Sequence, residues 1–129
     1  MLNILITGGE GFIGGHLVRK LKALEHRVTV VDDLSGGKSK DAKHTPIYAM
    51  RIQDYLTKCE EKFDIIFHLA ATPRMGFSFD KPRIVLDNNI TSTIAVADYA
   101  SKANSWVFWS NSSMATAITV AKINPYVHS

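Results

Sequence analysis

Apolar and polar positions fall into blocks along this chain, and the blocks follow two different periods. Leu2 to Thr7 (LNILIT) is a short, nearly continuous apolar run that stops at glycines, as a strand buried on both faces would. Beyond the glycines, Ile13, Leu17, Leu21 and Leu24 recur at i, i+4, i+8 and i+11, which places them on one stripe of a helix. HRVTVVDD (26–33) is a β-branched second strand ending in two acids, DLSGGKSKDAKHTP (33–46) a polar loop, and PIYAM (46–50) a third strand. QDYLTKCEEKF (53–63) reads as a short helix and DIIFHLAA (64–71) as a fourth strand ending at small residues. Pro82 opens a long helical stretch in which Ile90, Ile94 and Ala97 share a face, and SWVFWS (105–110) is a fifth strand. Strands alternate with helices throughout, so right-handed crossovers and a parallel sheet with helices on both faces are expected. No repeat, low-complexity tract or linker interrupts the pattern, and residues 1–129 are read as one domain.

The first strand and helix are joined by GGEGFIGG (8–15), and Gly9, Gly11 and Gly14 fit GxGxxG. Between a strand and a helix this pattern has mechanical meaning. The first glycine allows the tight turn, the second lets backbone approach a pyrophosphate, and the third lets the helix pack closely. The helix start offers free N–H groups and the positive end of the macrodipole to a phosphate. Asp32 ends the second strand about twenty residues on, where a carboxylate can accept from a ribose hydroxyl. That acid also favours NAD over NADP. A carboxylate about 4 Å from a 2′-phosphate costs roughly 4 kcal/mol per unit charge at an effective dielectric of 20. Lys38 and Lys40 in the following loop are read as solvated side chains. GGKSK (36–40) contains Gly-Lys-Ser, but a triphosphate-binding loop needs glycine at position 32, which is Asp.

Composition narrows the partners. The chain has 129 residues, 46% hydrophobic and 21% charged, and a formal net charge of +3 spread without a dense basic block, so nucleic acid is not an expected partner. No apolar run approaches the length of a membrane span, and the N-terminus lacks the parts of a signal peptide. The single cysteine, Cys59, cannot form an intramolecular disulfide, and no spacing of Cys and His marks a metal site. A reducing, cytoplasmic setting with no membrane contact and no metal is expected.

Four segments taken in order resemble a known family. TGGEGFIG (7–14), VVDDLSGG (30–37), FHLAA (67–71) and DNNITST (87–93) are similar to the TGxxGxxG, acidic, HLAA and NNVxGT signatures of extended short-chain dehydrogenases/reductases. Within that family the NAD-dependent nucleotide-sugar epimerases and dehydratases, of which UDP-glucose 4-epimerase is one, are nearest. The resemblance implies a Rossmann-type α/β fold of about five parallel strands in the order 3-2-1-4-5, with an exposed outer edge. It implies that Gly8, Gly11, Phe12, Ile13 and Gly14 contact the pyrophosphate and that Asp32 holds the adenosine ribose. It places Leu69, Ala70 and Ala71 along the cofactor, Ile52 against the adenine ring, and Asn89 as a structural or cofactor-side asparagine. His68 is expected to pack at the strand end. Where the family carries an acid for the adenine amino group, this chain has Arg51, which cannot accept a hydrogen bond.

For chemistry the resemblance implies Ser112 as the serine that hydrogen-bonds a sugar hydroxyl, with Ser110 and Ser113 as lesser candidates, and Tyr126 as the base of a YxxxK motif. The motif's lysine would be residue 130, and Ala115 and Thr116 stand where the family usually has Tyr-Gly. The chain is therefore expected to be truncated after the fifth strand, without the family's C-terminal substrate-binding region. Two functions stay open at this level. One is the NAD-binding domain of an epimerase or dehydratase, whose intact chemistry is hydride transfer at a sugar hydroxyl carbon of a nucleotide-sugar. The other is a non-catalytic dinucleotide-binding module or sensor. The Ile90 and Ile94 face suits either a homodimer or packing on the sheet.

Overall fold

A computed structural model describes residues 1–37, 47–72 and 79–110. Its elements run β1 (Asn3–Thr7), α1 (Phe12–Ala23), β2 (Arg27–Val31), β3 (Ile47–Tyr48), α2 (Ile52–Lys58), β4 (Ile65–His68), α3 (Pro82–Ala103) and β5 (Trp106–Trp109). The five strands form one sheet in the order β3-β2-β1-β4-β5, and every neighbouring pair is parallel. β1 is central, which explains its unbroken apolar sequence: Ile4 and Ile6 face one side, Leu5 the other, and all three are buried.

Helices cover both faces. Ile4, Ile6, Val28 and Val30 pack with Val18 of α1, while Leu5, Val31 and Ile66 pack with Ile52 and Tyr55 of α2 and with Val96 and Ala100 of α3. Each large aliphatic side chain taken fully out of water here contributes roughly 1.5–3 kcal/mol. α2 stops at Cys59, earlier than the sequence pattern suggests, where the backbone turns extended (ψ 117°). The extended segment delivers Phe63 to the core, where it is fully buried. Among the described residues of the expected third strand, Ile47 and Tyr48 pair with β2.

The two apolar stripes read from the sequence meet the core differently, the α1 stripe in part and the α3 stripe at its outer side. On α1 the buried residues are Gly14, Gly15 and Val18, with Leu17 and Leu21 packed beside them, while Ile13 is 67% exposed in the first turn. On α3 the inward stripe is Val85, Asn89, Ser92, Val96 and Ala100. Ile90 and Ile94 point outward, 41% and 55% exposed. The inner face tolerates its polar members because they are bonded: the Ser92 hydroxyl donates to the Asn89 carbonyl (3.0 Å), and Asn89 Oδ1 accepts from Thr72 N–H (2.9 Å). α3 ends at Asn104, whose left-handed conformation (φ 56°, ψ 46°) closes the helix before β5.

β5 is the outer strand, and its side chains on the α1 side of the sheet are poorly covered by the described residues: Trp106 is 77% exposed, and Phe108 stacks on Phe67 with ring centroids 5.1 Å apart. Among the described residues no helix is long and apolar enough to cross a membrane.

Candidate functional site

The carboxyl ends of the parallel strands open into a crevice of about 560 Å³. Its floor is the turn from β1 to α1. Gly8 N–H donates to the Val31 carbonyl (2.9 Å) and Gly11 N–H to the Gly8 carbonyl (3.1 Å), so the turn is folded back against β2. Gly8 is the residue in the left-handed region (φ 71°), and a Cβ there would lie 2.8 Å from Ala70 N. The tight turn thus falls on Gly8 rather than on Gly9, the first glycine of the GxGxxG reading. Gly9 is required for another reason, since its Cβ would stand 2.6 Å from Val30 Cγ1. At Gly14 a Cβ would meet the Gly8 carbonyl oxygen at 2.2 Å, which makes this glycine the contact by which α1 seats on the turn.

α1 begins at Gly11 with no side-chain cap and no acid in its first turn. Its leading N–H groups therefore face the crevice uncovered by any capping side chain, a setting that attracts an anion. Phe12 and Ile13, largely exposed, stand at the same lip.

Asp32 forms the rim at the end of β2. Its Oδ2 accepts from Glu10 N–H (2.9 Å) and its Oδ1 from Leu34 N–H (2.8 Å). These two bonds fix the carboxylate and tie the glycine turn to the second strand, leaving further lone pairs for a hydroxyl donor. Ile52 and Arg51 lie on the same side, beyond Asp32. Arg51 precedes the first turn of α2 and its side chain makes no capping bond.

The opposite wall is Leu69, Ala70 and Ala71, immediately after β4. Thr7 Oγ1 accepts from Leu69 N–H (3.2 Å) and Ala70 N–H (3.1 Å), pinning that wall to the end of β1. Farther along, Asn89 holds Thr72 N–H, and Asn88 Nδ2 donates to Thr72 Oγ1 (3.1 Å). Every expected cofactor residue except Asn89 lines the crevice; Asn89 is buried behind it, and its neighbours Asn88 and Ser92 reach the surface of the cleft. Ser110, at the end of β5, lies at the crevice mouth. Ser112, Ser113 and Tyr126 lie outside the described residues, as do Lys38 and Lys40.

His68 is buried at the end of β4, with Trp109 edge-on to its ring at 5.3 Å. Burial lowers its pKa to about 4, so the imidazole is neutral near pH 7. Thr7 and Asn88 escaped the sequence reading. Thr7 carried a usable signal, a hydroxyl residue set between a buried strand and a glycine turn, whereas Asn88 becomes recognisable only once the face of α3 is known.

A comparison with protein families matches residues 4–126 to the NAD dependent epimerase/dehydratase family. The chain belongs to that family. It is 31% identical over 115 residues to UDP-glucose 4-epimerase of Neisseria meningitidis serogroup A, a match covering 80% of this chain and 34% of that protein. UDP-N-acetyl-alpha-D-glucosaminuronate decarboxylase of Bacillus cytotoxicus is 34% identical over 115 residues, covering 84% of this chain and 36% of that one. Among solved structures, UDP-glucose 4-epimerase of Thermotoga maritima with UDP-glucose superposes with a TM-score of 0.85 at 28% identity, over 98% of this chain and 47% of the other. The chain thus spans about a third of the length of the curated relatives it matches. The Rossmann-type sheet, its strand order and the family are those the four ordered motifs imply.

Proposed function

We propose that this chain is an NAD-binding domain whose crevice holds the dinucleotide across the carboxyl ends of β1, β2 and β4. The observation that carries the reading is the pairing of an uncapped helix start, seated on a glycine turn, with a carboxylate locked at the end of the next strand. The pyrophosphate would lie against Gly8, Gly11, Phe12, Ile13 and Gly14, and Asp32 would accept from the adenosine ribose. With the ribose at β2, adenine would lie outward toward Arg51 and Ile52 and the nicotinamide half toward Leu69, Ala70 and Ala71, a course that the lining of the crevice supports. NAD, when bound, supplies a hydride acceptor.

The activity we propose for the protein is epimerase or dehydratase chemistry on a nucleotide-sugar, in which Ser112 orients a sugar hydroxyl and Tyr126 takes its proton. The named activities of relatives about a third identical support this reading. We place residues 1–129 in one cofactor-binding domain that works in the cytoplasm. The outward Ile90 and Ile94 face of α3 supports a homodimer.

Calorimetric titration with NAD tests the common premise, and no heat at millimolar cofactor would overturn it. A turnover assay with UDP-glucose, UDP-galactose and dTDP-glucose then separates an enzyme from a module that binds dinucleotide alone. Product formation identifies the former.

A further inference from the structure

The sheet register sets Thr7, His68 and Trp109 side by side across β1, β4 and β5. Thr7 Oγ1 has three polar neighbours: Ala70 N–H at 3.1 Å, Leu69 N–H at 3.2 Å and His68 Nδ1 at 2.8 Å. Leu69 N–H is shared with the Thr7 carbonyl, also at 3.2 Å. A hydroxyl owns two lone pairs and one proton. The two amides take the lone pairs, so the proton has one destination among these neighbours, the imidazole nitrogen. A proton on Nδ1 instead would put three donors on an oxygen that can serve two. His68 must therefore carry its proton on Nε2, which faces Thr93 Oγ1 of α3 at 3.4 Å. Among the described residues the elements around the ring present Thr7, Trp109 and Thr93, none of them charged.

We propose that His68 is a positioning residue for the cofactor crevice: by accepting the Thr7 proton at Nδ1 it turns both lone pairs of that hydroxyl onto the Leu69 and Ala70 amides. The proposal rests on the NAD reading of the crevice. Its leverage comes from the closeness of the two walls. Ala70 N lies 2.8 Å from the point a Gly8 Cβ would occupy, so a small tilt of the 69–70 turn changes the width of the cleft directly. A side chain with no acceptor at position 68 leaves the Thr7 proton without its partner. The hydroxyl then rotates to seek another acceptor and gives up one of the amides.

The test uses the full chain. NAD affinity is measured by calorimetry for wild type, His68→Leu, His68→Asn, Thr7→Val and Thr7→Ser, with the fold of each checked by circular dichroism. Asn carries its amide oxygen near the place of Nδ1 and can accept the same proton. His68→Leu and Thr7→Val are expected to weaken NAD about tenfold, the scale of one misdirected buried hydrogen bond, while the Asn and Ser variants stay within about threefold of wild type. Nitrogen NMR of His68 in the wild type is expected to show the neutral Nε2–H tautomer, with an Nδ1 resonance that moves in Thr7→Val. A proton found on Nδ1, or a folded His68→Leu that binds NAD like wild type, overturns the proposal. Where His68→Leu does not fold, a His68→Asn as weak as Thr7→Val overturns it as well. A wild type that does not bind NAD refutes the cofactor reading, and the tautomer then decides the hydrogen-bond assignment alone.

Discussion

Replacing Gly14 by alanine probes the contact that seats α1 on its turn. In a helix interior the change would by itself gain about 1 kcal/mol of propensity. Here the new Cβ would stand 2.2 Å from the Gly8 carbonyl oxygen and 2.7 Å from Gly9 Cα, both backbone atoms that no rotamer change can move aside. Ordinary contact begins near 3.4 Å, so the start of α1 must retreat by about 1 Å from the turn. Overpacking of this kind costs about 1–3 kcal/mol, which offsets the propensity gain and leaves a net loss. The same retreat carries the leading N–H groups away from a bound phosphate, so NAD affinity falls by tenfold or more. Urea unfolding gives the stability and calorimetry the affinity. Gly36→Ala is the control for stability, since a Cβ there meets nothing within 4 Å and Gly36 is not in the left-handed region. A Gly14→Ala protein as stable as the parent and binding NAD within a factor of two would show that this contact does not seat the helix.

Asp32→Ala is expected to weaken NAD by about 1–3 kcal/mol, the worth of hydrogen bonds to a fixed charged acceptor, while improving the ratio of NADP to NAD binding; an unchanged ratio in parallel titrations counts against the ribose assignment. Stability is expected to fall with acid through His68. Its folded pKa, about 4, lies below the unfolded value of 6.5, so the unfolded chain takes up the proton first. The neutral buried ring therefore loses about 3 kcal/mol of stability between pH 6.5 and 4, and urea midpoints of His68→Asn should lack that part of the slope. Arg51→Asp is expected to tighten adenine dinucleotide binding by providing an acceptor for the amino group, and an affinity equal to or below wild type in calorimetry would show that the base lies elsewhere. Ile94→Glu, at a site already 55% exposed, should change monomer stability by less than about 0.5 kcal/mol yet abolish a homodimer in sedimentation, and a persisting dimer would place the interface on another surface.

Periodicity and turn chemistry carried much of this molecule. The apolar run of β1, the glycines after it and Asp32 after β2 announce a parallel sheet and a phosphate-seating helix, because local sequence fixes both strand burial and turn geometry. The faces of the helices were less legible. The spacing of Ile90 and Ile94 suits a dimer face or packing on the sheet alike, and it is Asn89 and Ser92 that occupy the inner face, since that face borders the crevice and its polar groups find partners there.

The sequence alone determined the order of strands and helices, the place of the glycine turn and the acid at the end of β2, all of which depend on residues close together in the chain. Folding in three dimensions was needed to show that Glu10 N–H holds Asp32 and that Thr7, His68 and Thr93 form one chain of contacts. Those features join residues up to some sixty positions apart through sheet register, and register is set by the packing of both faces at once rather than by any single segment.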